Sequence, residues 1–319
     1  MSYCVDYESY HLIPQECIVP SREHCDTSIS WGDMVFSFPI CPANMTSVVD
    51  EKTCMFLSEN NMFYVMHRFG ISLKEFCTLM IDNGHYASVS VGVKDKSYDQ
   101  LTEIKEYGIC PEYITIDVAN AWSKDTRNML KYLNENFKKS FIILGNVATP
   151  SACEDVLSWG RVDAIKAGIA GGSVCITKNK TGFHVPMVQC VRDCFSVCSK
   201  NNVFLIADGG IKEHGDVAKA ISLGADMVMA GSLFAGYDQS AGNIIEIEKY
   251  VYKEYYGNAS KDNKKERKNV EGKKILIDYK GDMGKLLIEL KEDLQSSISY
   301  AGGESLKDLK HTPHLVKGW

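Results

Sequence analysis

Val162-Asp-Ala-Ile-Lys-Ala-Gly168, continuing as Ile-Ala-Gly-Gly-Ser-Val-Cys175-Ile-Thr-Lys178, is a short apolar run that empties into a glycine-rich loop. The run has the length and residue types of a buried strand, and the glycines mark the turn beyond it. The same grammar recurs along the chain. Strands are expected at residues 38–43, 63–67, 87–93, 113–118, 141–146, 162–168, 203–207 and 227–230, each followed by a polar or glycine-bearing turn and a helix-compatible segment. The clearest helices are 150–159, which opens on Thr149-Pro150, a cap followed by proline at the first turn, and 216–223. Eight strand–helix units predict an α/β fold, a (β/α)8 TIM barrel, for which about 250 residues is usual. A doubly wound sheet is the alternative, but no GxGxxG fingerprint follows an early strand.

The surplus length lies in two places. Residues 1–33 precede the first strand, and residues 237–282 form a polar, glycine- and lysine-rich excursion before the last helix. A structureless loop of that length inside a domain is expected to be a functional lid. The last helix, 283–300, puts Leu287, Leu290, Leu294 and Ile298 on one face. Without a linker or an internal repeat, residues 1–319 read as one catalytic domain.

A net charge of −6, with 45% hydrophobic and 24% charged residues, describes a globular chain with no nucleic-acid or acidic-membrane signature. No apolar run approaches the roughly 18 residues of a membrane span, and no secretory leader is legible, so a cytoplasmic protein is expected. Twelve cysteines then read as free thiols, and the absence of any CxxC pair argues against structural zinc. Cys190, Cys194 and Cys198 share a helix face; a soft-metal or redox cluster is one reading, small buried hydrophobes the preferred one.

Barrel active sites form at the C-terminal ends of the strands. Read in order, those ends are Pro42-Ala-Asn-Met45, His67-Arg68, Asp117-Val-Ala-Asn120, Gly145-Asn146, the Cys175 loop, Asp208-Gly-Gly-Ile211 and Gly231-Ser232. Polar groups and glycines collect at this one rim. Gly209, Gly210, Gly231 and Ser232 suit a phosphate held by loop amides, and Asp208 suits a ribose diol, with turn capping as its plainer role. Converging amides also favour the thiolate of Cys175, which makes it a candidate nucleophile. Thr177 stands two residues on, but a threonine needs a carboxylate partner to move protons well. His67, ending a buried strand, and His184, on an expected flap, read as a core group and a solvated group.

The motifs Gly171-Gly-Ser-Val-Cys-Ile-Thr-Lys178, Ile206-Ala-Asp-Gly-Gly-Ile211 and Met229-Ala-Gly-Ser-Leu-Phe-Ala-Gly236 resemble those of the inosine monophosphate dehydrogenase/GMP reductase family, and the resemblance covers essentially the whole chain. Pro42-Ala-Asn-Met45, Val270-Glu-Gly-Lys-Lys274 and the tail from Asp293 to Gly303 resemble the reductase branch, bacterial type. Only seven residues separate Arg68 from Phe76, so the regulatory domain common in the dehydrogenases is not expected.

The resemblance implies an NADPH-dependent reductive deamination of GMP to IMP, with ammonia released through a covalent thioimidate on Cys175. Thr177 with Glu271 would handle the proton for the departing amine. Ser173, Gly210, Gly231 and Ser232 would hold the phosphate, Asp208 the ribose, and Met45 the base, with Gly209 also on the substrate side. Gly257, Asn258, Ala259 and Ser260, with Lys268, Asn269 and Val270, would complete the purine pocket from the lid. Ser21, Arg22, Arg68, Asp117, Val118 and Ala119 would lie on the cofactor side. Backbone carbonyls of Ala170, Gly172, Cys175 and Lys178 would hold a potassium ion, and the family implies a homotetramer whose cofactor tail reaches a neighbouring subunit. The chain departs from the family pattern at Ala170-Gly171, where Gly-Pro is usual, and at Ala121 and His184, where glycine is usual. Two other readings compete. One is a dehydrogenase lacking its regulatory domain, which would need an arginine–tyrosine pair in the lid; Arg267 is the only arginine after Tyr237 and no tyrosine adjoins it. The other is a barrel that binds purine nucleotides without turnover.

Overall fold

β-branched and aliphatic runs bounded by glycine and proline become strands β4 (Ile40–Pro42), β5 (Ser88–Val91), β6 (Tyr113–Asp117), β7 (Phe141–Val147), β8 (Ala164–Ala167), β9 (Phe204–Asp208) and β10 (Met227–Ala230). Three short strands precede them, β1 (Tyr10–Leu12), β2 (Ile29–Trp31) and β3 (Met34–Phe36). The structure is a computed structural model, and it describes residues 4–258 and 272–317. The seven strands form one parallel sheet in the order β4-β10-β9-β8-β7-β6-β5, the curled (β/α)8 arrangement with helices following the strands. Their residues are buried almost throughout, as a parallel sheet covered on both faces requires.

The expected strand at 63–67 is a correction. Met66 alone bridges to Val89, with Met66 N donating to Ser88 O at 2.9 Å and Ser90 N to Met66 O at 3.0 Å. No ladder joins this segment to β4 among the described residues. Pro39 and Pro42 flank and end β4, and proline offers no N–H to a neighbouring strand.

Residues 1–33 are not idle. β2 and β3 form a hairpin that carries Trp31, fully buried, beneath the barrel. There its ring meets Phe63, Phe141 and Phe204 at centroid distances of 5.8, 5.3 and 4.9 Å. These aromatic residues stand at the N-terminal ends of the barrel strands, so the hairpin floors the barrel opposite the rim. β1 pairs antiparallel with β14 (His314–Val316).

The 237–282 excursion is also corrected. It is not a structureless loop but contains a three-stranded antiparallel sheet of β11 (Ile244–Ile247), β12 (Tyr250–Tyr256) and β13 (Lys274–Asp278). Alternation along β12 turns Lys253 and Tyr255 inward while Tyr250, Tyr252 and Tyr256 face the other way. The Lys253 ammonium donates to the carbonyls of Tyr237 (2.8 Å) and Ser240, which fastens the sheet to the barrel.

The helices follow expectation. Pro150–Ser158 opens with Thr149 Oγ1 accepting from Ala152 N at 3.3 Å. Met283–Tyr300 buries Leu287, Leu290, Leu294 and Ile298. Cys190, Cys194 and Cys198 are buried, and Cys194 and Cys198 face Cys153 across two packed helices. Among the described residues no group of histidine, cysteine or carboxylate side chains is placed to hold a metal, and no helix is long and apolar enough to cross a membrane.

Candidate active site

The rim of the barrel carries two cavities that share Cys175, Gly231 and Tyr255 in their walls. One, of about 530 Å³, is walled by Ser173, Lys178, Gly210, Ser232 and the N-terminal residues Asp6 and Tyr7. The other, of about 360 Å³, is walled by Met45, Arg68, Asp117, Thr177, Asp208 and Asn258, among others. Ser173, Gly210, Gly231 and Ser232 therefore gather in the first, and Met45, Asp208 and, of the residues expected on the cofactor side, Arg68, Asp117, Val118 and Ala119 in the second.

The backbone at the junction is held close. Gly168 has φ +143°, and a side chain there would meet the Asp208 carbonyl oxygen at 2.1 Å. Gly209 and Gly210 also adopt positive φ, and Gly210 N donates to Gly171 O at 3.0 Å. The loop after β8 thus lies directly on the loop after β9. Where the family usually has Gly-Pro, Ala170 sits in the left-handed region at φ +63°, costly for a residue with a Cβ. His184 Nδ1 donates to Ile169 O at 3.1 Å, one residue before that turn, so this histidine secures the loop rather than standing free in solvent.

Cys175 is half-buried at the loop's end, and its thiol donates to Thr177 Oγ1 at 3.2 Å. Thr177 is the first residue of the short helix Thr177–Thr181. Gly272 bridges to Cys175, and Lys273 N donates to Val174 O at 2.9 Å, which seats the edge of the 237–282 excursion against the Cys175 loop. Asn258 ties the lid to the loop after β4, donating from Nδ2 to Asn44 O at 2.9 Å. The expectations for Ala259, Ser260, Lys268, Asn269, Val270 and Glu271 lie outside the described residues. Gly257, Val118 and Ala119 line the smaller cavity.

Behind these groups runs a line of charge. Lys166, 2% exposed, sits between Asp208 Oδ2 at 2.7 Å and Asp117 Oδ1 at 3.2 Å. Asn146 Nδ2 donates to the same Asp208 oxygen at 2.8 Å and to Gly168 O at 2.6 Å. Arg68 Nε donates to Asp117 O at 3.1 Å, and its guanidinium lies over the Phe69 ring at 4.5 Å. His67 is buried and accepts from Phe69 N through Nδ1 at 3.2 Å; burial pushes its pKa down to about 4, so it is neutral, a core group as expected.

Ser21 and Arg22 are not brought to this rim within one chain. They line a separate cleft with Tyr300, where Arg22 donates to Ser296 Oγ at 3.2 Å and to Tyr300 Oη at 3.4 Å. Lys166 and Tyr255 escaped the sequence reading, and Asn146 was read only as part of the rim. Lys166 and Asn146 carried a signal, since a lysine or asparagine inside an apolar strand must have a buried partner. Tyr255, 2% exposed, reaches in from the lid sheet; its hydroxyl bonds to Ser173 and lies 2.2 Å from where a Gly231 side chain would be. Its signal was the alternation of β12, hidden by reading the segment as loop.

A barrel whose rim brings together a thiol at the end of a glycine-rich loop, positive-φ glycines and a half-buried aspartate belongs to a defined class. The profile of the IMP dehydrogenase / GMP reductase domain matches residues 4–318, and the chain belongs to that family. It is 54% identical over 306 residues to a GMP reductase of Chromobacterium violaceum, covering 96% of each chain. It is 47% identical to a GMP reductase of an Acidovorax species, over 98% of this chain and 96% of that one. A third, from Shouchella clausii, is 46% identical over 99% of this chain and 96% of its own length.

Proposed function

We propose that this chain is a GMP reductase, converting GMP to IMP with NADPH and releasing ammonia. The observation that carries the reading is the Cys175–Thr177 contact at the meeting point of a phosphate-lined and a base-and-cofactor-lined cavity. Glycine amides, Ser173, Ser232 and the Tyr255 hydroxyl receive the 5′-phosphate. Asp208 accepts from the ribose diol, and Met45 packs on the purine. Cys175 Sγ attacks purine C2, and the amine leaves once protonated; splitting one substitution into two easier steps is the gain of a covalent route. Thr177 passes that proton, with Glu271 as its carboxylate partner. Gly272, the next residue in sequence, is bridged to Cys175.

The residues on the far side of Cys175 fit a nicotinamide, since Arg68, Phe69, Asp117, Val118 and Ala119 offer a cation, a ring face and an acceptor around one cavity. The bound cofactor would supply a hydride to C2, on which the Cys175–C2 bond breaks to return the thiolate and release IMP; the protein supplies position and electrostatics. Ser21 and Arg22 would serve the cofactor bound to a neighbouring copy in a homotetramer, which fits their separation from the rim. The carbonyls of Gly172 and Lys178 each accept one backbone N–H, from Cys175 and Gly182, and a carbonyl has a second lone pair for a cation. A potassium ion would be held there with the carbonyls of Ala170 and Cys175. Dependence on soluble reactants alone fits a cytoplasmic enzyme.

The test is absorbance at the nicotinamide band with purified protein, NADPH and GMP, beside NAD+ with IMP. Signal loss that requires GMP, with ammonia appearing, is the expected result. NADH formation from IMP would reassign the chain as a dehydrogenase; silence in both with GMP still bound would make it a binding barrel. Tyr255→Phe removes the hydroxyl that faces the phosphate cradle. It is expected to raise the KM for GMP about tenfold, the loss of a hydrogen bond to a charged group. kcat should change far less, and an unchanged KM would remove Tyr255 from the phosphate site.

A further inference from the structure

Lys166 occupies the middle of β8 in Ala164-Ile-Lys-Ala167, with 2% of its surface exposed. A buried ammonium is tolerated only when it is paired and hydrogen-bonded. Its surroundings are built for it. On the neighbouring strand Gly145 has no side chain, and a Cβ there would stand 2.5 Å from Lys166 Cβ. Burial by itself would push the ammonium toward neutrality, but Asp208 and Asp117 outweigh it and hold the group well above the usual lysine range.

One cation therefore serves two carboxylates that face different ligands. Asp208 Oδ2 is fully engaged by Lys166 and Asn146, and Oδ1 has no protein partner among the described residues. Asp117 Oδ1 takes the same ammonium at 3.2 Å, while its Oδ2 lies 4.0 Å from Arg68 Nε. Resting on the reading that this rim takes GMP and a nicotinamide cofactor, we propose that Lys166 is a positioning residue shared by both sites. It turns Asp208 Oδ1 toward the ribose and fixes Asp117 on the cofactor side. Lys166 lines the smaller cavity, but its ammonium is turned onto the two carboxylates, and it acts through them. A lesion there registers on both binding steps at once, whereas a lesion in either aspartate strikes its own ligand first.

The test compares wild type, Lys166→Met and Lys166→Arg in steady-state assays that vary GMP and NADPH separately, with calorimetric titration of GMP alone. Lys166→Met is expected to raise the KM for GMP and the KM for NADPH by about tenfold each, the loss of one hydrogen bond to a charged group. kcat should fall less, because the Cys175–Thr177 contact does not involve Lys166. Lys166→Arg, which keeps the charge, is expected to recover much of both losses. The proposal is overturned if neither KM moves, if only one moves, or if the arginine and methionine variants are equally impaired, which would assign the defect to packing. Should Lys166→Met fail to fold, the charge-balanced pair Lys166→Met with Asp117→Asn is titrated with GMP against Asp117→Asn alone. A further loss of about tenfold supports the proposal, and none overturns it. Wild-type protein without GMP-dependent turnover would defeat the functional reading instead, so the two failures are distinguishable.

Discussion

Cys175→Ala is expected to reduce GMP-dependent NADPH oxidation by ~10⁴-fold or more, the scale on which removing a covalent nucleophile acts. The thiol is half-buried and outside the core, so its loss opens no buried cavity. The loop that carries it is held by other means: Gly210 N to Gly171 O, Lys273 N to Val174 O, and the bridge between Cys175 and Gly272, all through backbone. Those contacts survive the substitution. GMP affinity and thermal stability are accordingly expected to stay near wild type while turnover disappears. Initial rates paired with a GMP titration read both quantities. A variant that keeps turnover within about tenfold of wild type would sink the covalent route, because no other thiol lines either cavity.

Gly168→Ala should cost at least ~3 kcal/mol of stability and abolish GMP binding, the sum of a positive-φ penalty and an overpacking penalty. At φ +143° a side chain is disfavoured before any neighbour is considered, and the new methyl would lie 2.1 Å from the backbone oxygen of Asp208. That neighbour cannot step aside cheaply. It belongs to β9, and the residue's side chain is already fixed by Lys166 and Asn146, with Asn146 also bonded to the Gly168 carbonyl. Relief of the clash must displace the Asp208 carboxylate, for which the ribose is proposed as partner, so stability and binding fail together. Gly108→Ala is the control: it has φ +74° but nothing within 4 Å, and should show the strain alone, about 1 kcal/mol. Urea unfolding of the two variants decides the matter. Equal losses would show that the close approach of the two loops does not matter.

Where one residue type had one structural meaning, the sequence was readable. Apolar β-branched runs such as Tyr113–Asp117 and Met227–Ala230 had to be buried strands, and Met283–Tyr300 showed its face plainly. The rim followed from the barrel, and with it Cys175, Thr177, Asp208 and the cradle glycines, all of which the fold brings together. Reading failed where a tertiary partner decides the outcome. Residues 63–67 have strand composition, yet the prolines around β4 deny them a second ladder. The lid's strands are polar on their exposed positions and lie among lysines and glycines, so composition outweighed the weak alternation in Tyr250–Tyr256. Lys166, a lysine inside an apolar strand, signals a buried partner, but the partner stays unknown until two aspartates from other strands are placed beside it.

The pairing of β1 with β14 bears on how the molecule is made. β1 continues directly from the turn that contains Tyr7, whose ring packs against Gly210 in the wall of the phosphate cavity. That wall is thus pinned by His314–Val316, from the opposite end of the chain. During synthesis the barrel strands and their floor can assemble as they emerge, N-terminal parts first. That wall cannot be pinned until residues 314–316 have emerged and found a strand made long before them. Nascent chains would therefore carry the barrel strands before this wall of the cavity is fixed, and completing the cavity becomes a late event in the protein's biogenesis.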